Sequence, residues 1–326
     1  METILLSNDG RCKWLENRVL KKILPQMLEA KRMNNKPMYI IADWISNDSG
    51  KVGVDLKWLD KLGVSVVNNY KEIVDTNCIV VNTGYDSIVN EEIELRQKGV
   101  EILDEPCPYV RKVRTIFENP EPTFQYVLLC EPNHIIVKNF ASIFPKDMIL
   151  VQMKNYKEKI INQENGKPIC LVPYVTFLPK HIKEIMDFID NNFSERKNKF
   201  IQTSCMWLSS PTSPIVEINN MSEKSLENVK DAILIATAGS VNKSLVSLIE
   251  TLEDRNLNVV KISSLTQFIL YSIKHKKSKV LVVRSPIPNN AEIPIINCIQ
   301  HGIFYAYINC FVQFMKYSLF KGGKGK

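Results

Sequence analysis

The stretch VEILDEPC, residues 100–107, contains the pattern that decides the fold of this chain. Its apolar run Val100–Leu103 predicts a short buried strand, and the acidic, proline-containing turn that follows ends in Cys107. Two other stretches follow the same plan, TILLSNDGRC at residues 3–12 and KFIQTSC at residues 199–205. Each runs from a predicted strand into a turn that ends in a cysteine.

Short apolar runs alternate with amphipathic segments along the whole chain. The predicted strands are residues 3–6, 38–41, 78–82, 100–103, 126–129, 148–151, 169–172, 200–202, 232–236, 259–262 and 280–283. The predicted helices are residues 92–98, 181–191, 244–254 and 265–275. This alternation predicts an α/β protein with mostly parallel sheets. A chain of 326 residues is long enough for two or three domains.

The composition is that of a globular protein, with 45% hydrophobic and 24% charged residues. The net charge of +7 includes basic runs at 196–199, 274–279 and 321–326. These runs lack interleaved aromatic residues, so nucleic-acid binding is not predicted, whereas a small anionic substrate would suit the charge. We find no signal peptide and no apolar run of membrane-spanning length, and we expect a cytoplasmic protein.

The eight cysteines contain no CxxC pair, so neither a disulfide framework nor a zinc ribbon is predicted. Five of them, Cys78, Cys130, Cys170, Cys298 and Cys310, lie in apolar segments and are expected to be buried structural thiols. The other three, Cys12, Cys107 and Cys205, are separated by 95 and 98 residues. The chain therefore has three parts, each of which offers one thiol after a strand.

The carboxyl ends of parallel strands are where open α/β sheets bind ligands. Three thiols at such ends are compatible with three unrelated cysteines, with a three-ligand zinc site or with a [4Fe-4S] cluster. Zinc would normally recruit histidine, and the chain has only four histidines. A cubane cluster with three cysteine ligands and an open fourth iron fits the count better.

The sequence resembles the 4-hydroxy-3-methylbut-2-enyl diphosphate reductase family, also called LytB. That family carries an Asp-x-x-Cys-Pro-x-Val-x-Lys-Val pattern, which residues 104–113 reproduce around Cys107. Gly10 and Cys12 retain part of the family's first cysteine motif, and Cys205 retains the third cysteine with little around it. A further similarity is the stretch 231–250, where the family has a strand, a Ser/Asn-rich turn and a helix.

The resemblance implies three similar α/β domains arranged around a central iron–sulfur cluster. Cys12, Cys107 and Cys205 would be the ligands of a [4Fe-4S] cluster with an open fourth iron, and ferredoxin or flavodoxin would donate the electrons. The expected domains are residues 1–105, 106–199 and 200–285, with residues 286–326 docking on the first. Because the C-terminal segment is aromatic and apolar, a dimer or partner contact is the alternative to docking, and we expect a monomer or homodimer.

The resemblance also implies the residues of the substrate site. Ser240 and Asn242 fall on the turn that binds the diphosphate in the family, where a helix N-terminus suits an anion. Asn47 is retained in a segment that otherwise lost its histidines, and Thr83 replaces a family histidine. These four residues are the predicted substrate-binding residues.

The proton-delivery segment departs most from the family. Its His-Pro-Glu reads His134, Ile135 and Ile136 here, so the carboxylate that delivers protons is an isoleucine. His134 and the nearby Glu131 are the candidate catalytic residues, with an ordinary loop histidine and a surface carboxylate as the alternatives.

These departures favour a LytB-like oxidoreductase that acts on a small substrate other than the parental isoprenoid diphosphate. Three alternatives remain open. A lyase or desulfidase could use the open iron as a Lewis acid, which would explain the lost carboxylate. The parental reductase activity could persist, or the protein could be a non-catalytic sensor, as the proline-containing segment 208–214 suggests.

Overall fold

The computed structural model describes residues 1–6, 22–34, 36–41, 63–82, 87–104, 106–205, 208, 210, 213–236, 243–284 and 292–301. In these residues, three four-stranded sheets are formed, and all of the paired strands run parallel. The predicted α/β architecture with parallel sheets is therefore confirmed. The chain divides into a central unit, residues 13–208, and a terminal unit that joins residues 1–12 to residues 209–326.

The described strands and helices are numbered here in chain order. The strands are β1 Glu2–Leu5, β2 Met38–Ile41, β3 Val64–Val67, β4 Ile79–Asn82, β5 Glu101–Asp104, β6 Gln125–Leu129, β7 Ile149–Val151, β8 Ile169–Pro173, β9 Lys199–Phe200, β10 Val229–Ile235, β11 Asn258–Ile262 and β12 Lys279–Arg284. The helices are α1 Leu24–Asn34, α2 Val89–Gln97, α3 Pro108–Glu118, α4 Ile135–Phe140, α5 Tyr156–Gln163, α6 Pro179–Asn192, α7 Pro214–Asn220, α8 Lys243–Asp254, α9 Leu265–Lys274 and α10 Glu292–His301. Short 3-10 helices span Tyr70–Glu72 and Ala141–Ile143. Within this part of the chain, no helix combines the length and the apolar character needed to cross a membrane.

The three sheets share one strand order. The first runs β3-β2-β4-β5 and the second runs β7-β6-β8-β9, so in both the order along the sheet is second, first, third, fourth strand. The third sheet, read from its β11 edge, runs β11-β10-β12-β1. The N-terminal strand β1 thus occupies the edge position that β5 and β9 occupy in the other two sheets.

The position of β1 in the third sheet differs from the expected domain division, which assigned residues 1–105 to the first domain. β1 pairs instead with β12, in register from Glu2 opposite Lys279 to Leu5 opposite Val282. The apolar run of β1 pairs in parallel with β12, and β1 thereby becomes the edge strand of the third sheet. The remaining domain limits stay a prediction.

The helix α10 belongs to the terminal unit and packs on its sheet. Ile295 and Cys298, one helical turn apart, join the buried cluster that contains Ile233 and Val282. Within 286–326, this described part therefore lies on the third sheet, rather than on the expected first domain. Residues 302–326 lie outside the described residues.

Buried strands and helix faces explain why the central unit folds as it does. β6 and β8 are buried along their whole length, as expected for parallel strands that are covered on both faces. The helix α3 begins with Pro108, and its Val110, Val113 and Phe117 form one buried face at helical spacing. This face packs into the same core as β6 and β8.

Candidate metal centre

Cys107 lies where β5 passes into α3. It is the residue before the helix, with Pro108 in the first helical position, and its carbonyl accepts a hydrogen bond from the N–H of Arg111 at 2.7 Å. The residue is buried, with 8% exposure. A helix N-terminus favours a negative charge placed beside it, such as a thiolate that is bound to a metal.

Cys205 follows the equivalent edge strand of the second sheet, β9. The segment that leads to it forms hydrogen bonds with alternate residues, beginning at Leu171 in β8 and ending just after that strand. The N–H of Ile201 donates to the carbonyl of Leu171 at 3.1 Å, and the N–H of Cys205 donates to the carbonyl of Val175 at 2.7 Å. Between these two bonds, the hydroxyl of the buried Thr203 donates to the carbonyl of Pro173. Cys205 is therefore fixed at the carboxyl edge of its sheet.

The structure brings the segments of Cys107 and Cys205 together within the central unit. Cys107 belongs to the buried core of that unit, and the partly exposed Cys205 packs against the same core. A direct link joins the two segments, because the Nζ of Lys112 on α3 donates to the carbonyl of Gln202 at 2.5 Å. The two predicted ligands thus sit on one connected apolar framework.

The third predicted ligand, Cys12, lies outside the described residues. In the sequence it follows β1, as Cys107 follows β5 and Cys205 follows β9. Within the described ranges, no three His, Cys, Asp or Glu side chains come close enough to hold a metal ion. A ligand set that includes Cys12 therefore stays a prediction.

The chemistry of the two described cysteines fits an iron–sulfur cluster. Such clusters are held by thiolates, and their reduction potentials depend on solvent exposure and on hydrogen bonds to the sulfurs. Cys107 and Cys205 supply thiols from the edges of two sheets, in surroundings that are largely apolar. The residues present are thus compatible with the cofactor that the resemblance implies.

Other cysteines of the chain have a different environment. Cys78, Cys170 and Cys298 are buried, as expected for structural thiols. Burial raises the pKa of all three, and it raises that of Cys170 to about 12. This burial fits the expected structural role of the three thiols. Cys130 is also buried, at the end of β6, and Cys310 lies outside the described residues.

His134 caps the helix α4. Its Nδ1 accepts a hydrogen bond from the N–H of Ile136 at 3.2 Å, and its ring lies 4.4 Å from the ring of Tyr174 between centroids. An accepting Nδ1 carries no proton, so the neutral ring carries its proton on Nε2. The imidazole thus has a structural task, and its catalytic role stays a prediction.

Glu131 and Ile136 flank this histidine. The carboxylate of Glu131, which is partly buried, accepts a hydrogen bond from the side-chain amide of Gln152. Ile136 is 3% exposed and belongs to the core of the central unit. The position that carries the family's acid in the resemblance is therefore part of the apolar core here. A catalytic role of Glu131 stays a prediction.

The four predicted substrate-binding residues, Asn47, Thr83, Ser240 and Asn242, lie outside the described residues. Their roles stay predictions. The neighbouring described elements are β4, whose last residue Asn82 is buried, and α8, which begins at Lys243.

Sequence reasoning missed a buried ionic network beneath the Cys107 helix. Arg114 of α3 donates from Nη1 to Glu92 of α2 at 2.8 Å, and Glu92 also accepts from Ser87 and from Arg96. Burial alone would raise the pKa of Glu92, but these hydrogen bonds outweigh it and lower the pKa to about 2. The network joins α3 to the first sheet's helix. No sequence signal pairs two charges 22 residues apart.

Comparison with known proteins identifies the family. The sequence profile of the family described as LytB protein matches residues 25–283, which is most of the chain. This chain belongs to the LytB family. The resemblance noted around Cys107 is therefore confirmed over a much longer stretch.

Relatives of this LytB family member are named 4-hydroxy-3-methylbut-2-enyl diphosphate reductase. The one from Wolbachia sp. subsp. Brugia malayi is 25% identical over 247 residues, covering 75% of this chain and 73% of the relative. A relative from Wolbachia pipientis wMel is 28% identical over 192 residues, covering 58% of each chain. These homologues are named as reductases.

Solved structures support the fold. The E-1-hydroxy-2-methyl-but-2-enyl-4-diphosphate reductase from Plasmodium falciparum aligns with a TM-score of 0.69 and 16% identity, over 93% of this chain and 90% of that one. A second structure, of (E)-4-hydroxy-3-methyl-but-2-enyl diphosphate reductase, aligns with a TM-score of 0.55 and 17% identity, over 93% and 99%.

Proposed function

We propose that this protein is an iron–sulfur reductase in which Cys12, Cys107 and Cys205 hold a [4Fe-4S] cluster with an open fourth iron. The observation that carries the proposal is the repeated strand order. Each of the three cysteines follows the edge strand that occupies the same place in its sheet, namely β1, β5 or β9. A threefold repeat of one thiol at one topological position, at the carboxyl ends of strands where α/β sheets bind ligands, would supply the three protein ligands of such a cluster.

When bound, the cluster supplies one-electron chemistry and an open coordination site for a substrate oxygen or sulfur. The chain's own residues would hold the cluster and limit the access of water to it. The N-terminus of α3 would stabilise the negative charge of a cluster-bound Cys107, and the backbone bond to Val175, just after β8, holds Cys205 in place. The apolar core behind both residues would limit the access of water. Ferredoxin or flavodoxin would be the electron donor.

The substrate is proposed to be a small anion other than the parental isoprenoid diphosphate. Ile136 is buried and cannot move a proton, and general acid help is typically worth about 10²–10⁴-fold in rate. His134 and Glu131 are the remaining candidates for proton delivery. His134 could donate from Nε2 while its Nδ1 keeps the helix cap. Asn47, Thr83, Ser240 and Asn242 are the proposed anion contacts.

The experiment is anaerobic reconstitution with iron and sulfide, followed by spectroscopy of the reduced protein. The proposal predicts a brown protein with a cluster signal that changes when a small ligand occupies the open iron. A colourless protein without iron after reconstitution contradicts it. Turnover of a small anion without any external reductant would instead favour Lewis-acid chemistry at the same iron.

A second candidate is the parental reductase activity itself, which the names of the relatives favour. The two candidates differ in one assay. The reconstituted protein is given 4-hydroxy-3-methylbut-2-enyl diphosphate and a strong one-electron donor, beside a relative of established activity. Our proposal predicts a rate lower by about 10²-fold or more, because the buried Ile136 supplies no proton. Equal rates would support the parental activity.

A further inference from the structure

Lys112 is the residue that links the two cysteine-bearing segments of the central unit. It lies on α3, five residues after Cys107, and its Nζ donates to the carbonyl of Gln202, three residues before Cys205, at 2.5 Å. Five residues of helix span about 8 Å, and three extended residues span about 10 Å. Along the chain, one end of the bond thus lies between one and two helical turns after Cys107, and the other lies three residues before Cys205.

Gln202 lies in the segment that leads to Cys205, between two residues whose backbone N–H groups form hydrogen bonds within the second sheet's region. The backbone of Ile201 is bonded to Leu171 in β8, and the backbone of Cys205 is bonded to Val175, two residues after the end of β8. The Lys112 bond joins this segment to the Cys107 helix instead. Charge assists this bond, because an ammonium is the donor.

We propose that Lys112 is a positioning residue, which sets the distance between the Cys107 and Cys205 thiols by clamping the carbonyl of Gln202 to α3. This inference rests on the proposed function, because the two thiols need a fixed separation only if they hold one cluster. Lys112 would touch neither the cluster nor the substrate. It would act through the backbone of the Cys205 segment, as outer-shell partners do in other metal sites.

The test compares Lys112→Met with Lys112→Arg, which keeps a charged donor, and with Lys183→Met, which removes an exposed lysine of α6. The first measurement is amide hydrogen exchange of the apo-protein over residues 199–205. We expect a few-fold faster exchange in Lys112→Met and wild-type exchange in the other two variants. Unchanged exchange in Lys112→Met overturns the clamp.

The second measurement is the rate at which the reconstituted protein loses iron to a chelator. Changes in outer-shell partners typically cost about 10–100-fold in metal affinity, so we expect iron loss about tenfold faster in Lys112→Met and near the wild-type rate in Lys112→Arg. Faster exchange with unchanged iron loss overturns the positioning role alone. A wild-type protein that binds no iron overturns the proposed function, and this inference with it, even where the exchange result stands.

Discussion

Two parts of the central unit resemble the LytB family to different degrees, and they use their polar groups differently. At the sheet edges, backbone hydrogen bonds and the neighbouring side chain of Lys112 fix the segments of Cys107 and Cys205. In the turn 131–136, the side chains themselves are used for folding, because His134 caps a helix, Glu131 binds Gln152 and Ile136 fills the core. The comparison teaches that the two cysteine segments are positioned by contacts of neighbouring residues, whereas the side chains of the turn 131–136 make folding contacts themselves.

Among the substitutions that test this comparison, an acid at position 136 should have the largest effect on stability. Ile136→Glu places a carboxyl group in the apolar core, where an unpaired charge is not tolerated. We expect the free energy of unfolding to fall by roughly 3–5 kcal/mol, measured by chemical denaturation.

The matched control for that substitution is Ile136→Leu, which should cost less than about 1.5 kcal/mol. If Ile136→Glu instead leaves stability unchanged and raises the rate with the isoprenoid diphosphate, position 136 faces a substrate site. The turn would then be a catalytic region with one altered residue.

Disrupting the ionic network of Glu92 and Arg114 should have the next largest effect on stability. Glu92→Gln removes the buried carboxylate partner of Arg114 and leaves only the pair with the more exposed Glu118 among its described ion pairs, and we expect a loss of roughly 3 kcal/mol in unfolding free energy. Glu94→Gln removes a solvent-accessible carboxylate of the same helix, bonded by Lys98 and Tyr70, and should destabilise the protein much less. Equal losses in the two variants would show that the network does not hold the Cys107 helix.

The same network predicts a dependence on pH. The pKa of Glu92 is lowered to about 2 in the folded protein, from an ordinary value near 4.5. The stability contributed by this carboxylate is thus present above pH ~4.5 and is lost as the pH falls toward 2. Denaturation curves between pH 5 and pH 2 should show the wild type approaching Glu92→Gln. A constant difference between the two proteins would contradict the assignment.

The helix cap of His134 should have the smallest effect. His134→Ala removes the acceptor for the N–H of Ile136 and should cost about 1 kcal/mol, whereas His134→Asn can retain a cap. Thermal unfolding measures both. If both variants keep wild-type stability, the imidazole has no structural task and its catalytic role gains support.

Much of the fold could be predicted because the strands of parallel sheets are buried on both faces and therefore appear in the sequence as continuous apolar runs. The four predicted amphipathic segments correspond to α2, α6, α8 and α9. The strand β3 was missed because it is a short strand with exposed residues such as Val66. The pairing of β1 with β12 was missed because it joins residues 277 apart in the sequence, which local patterns do not register.

The candidate site was predictable only in part. Cys107 and Cys205 could be selected because each follows a strand, and this setting is local in sequence. The bond of Lys112 to Gln202 and the pair of Glu92 and Arg114 depend on how separate elements pack. Nothing in the residue pattern alone indicates such partners, so these groups emerge only from the structure.

The central claim is that three cysteines at equivalent edge strands hold one cluster. It is tested most directly by counting iron and sulfide after anaerobic reconstitution of Cys12→Ser, Cys107→Ser and Cys205→Ser, with Cys170→Ser as the control from a buried strand. The account predicts about four irons per chain in the wild type and in Cys170→Ser, and an unstable or absent cluster in the other three. Full iron content in any of those three, or none in the wild type, would contradict it.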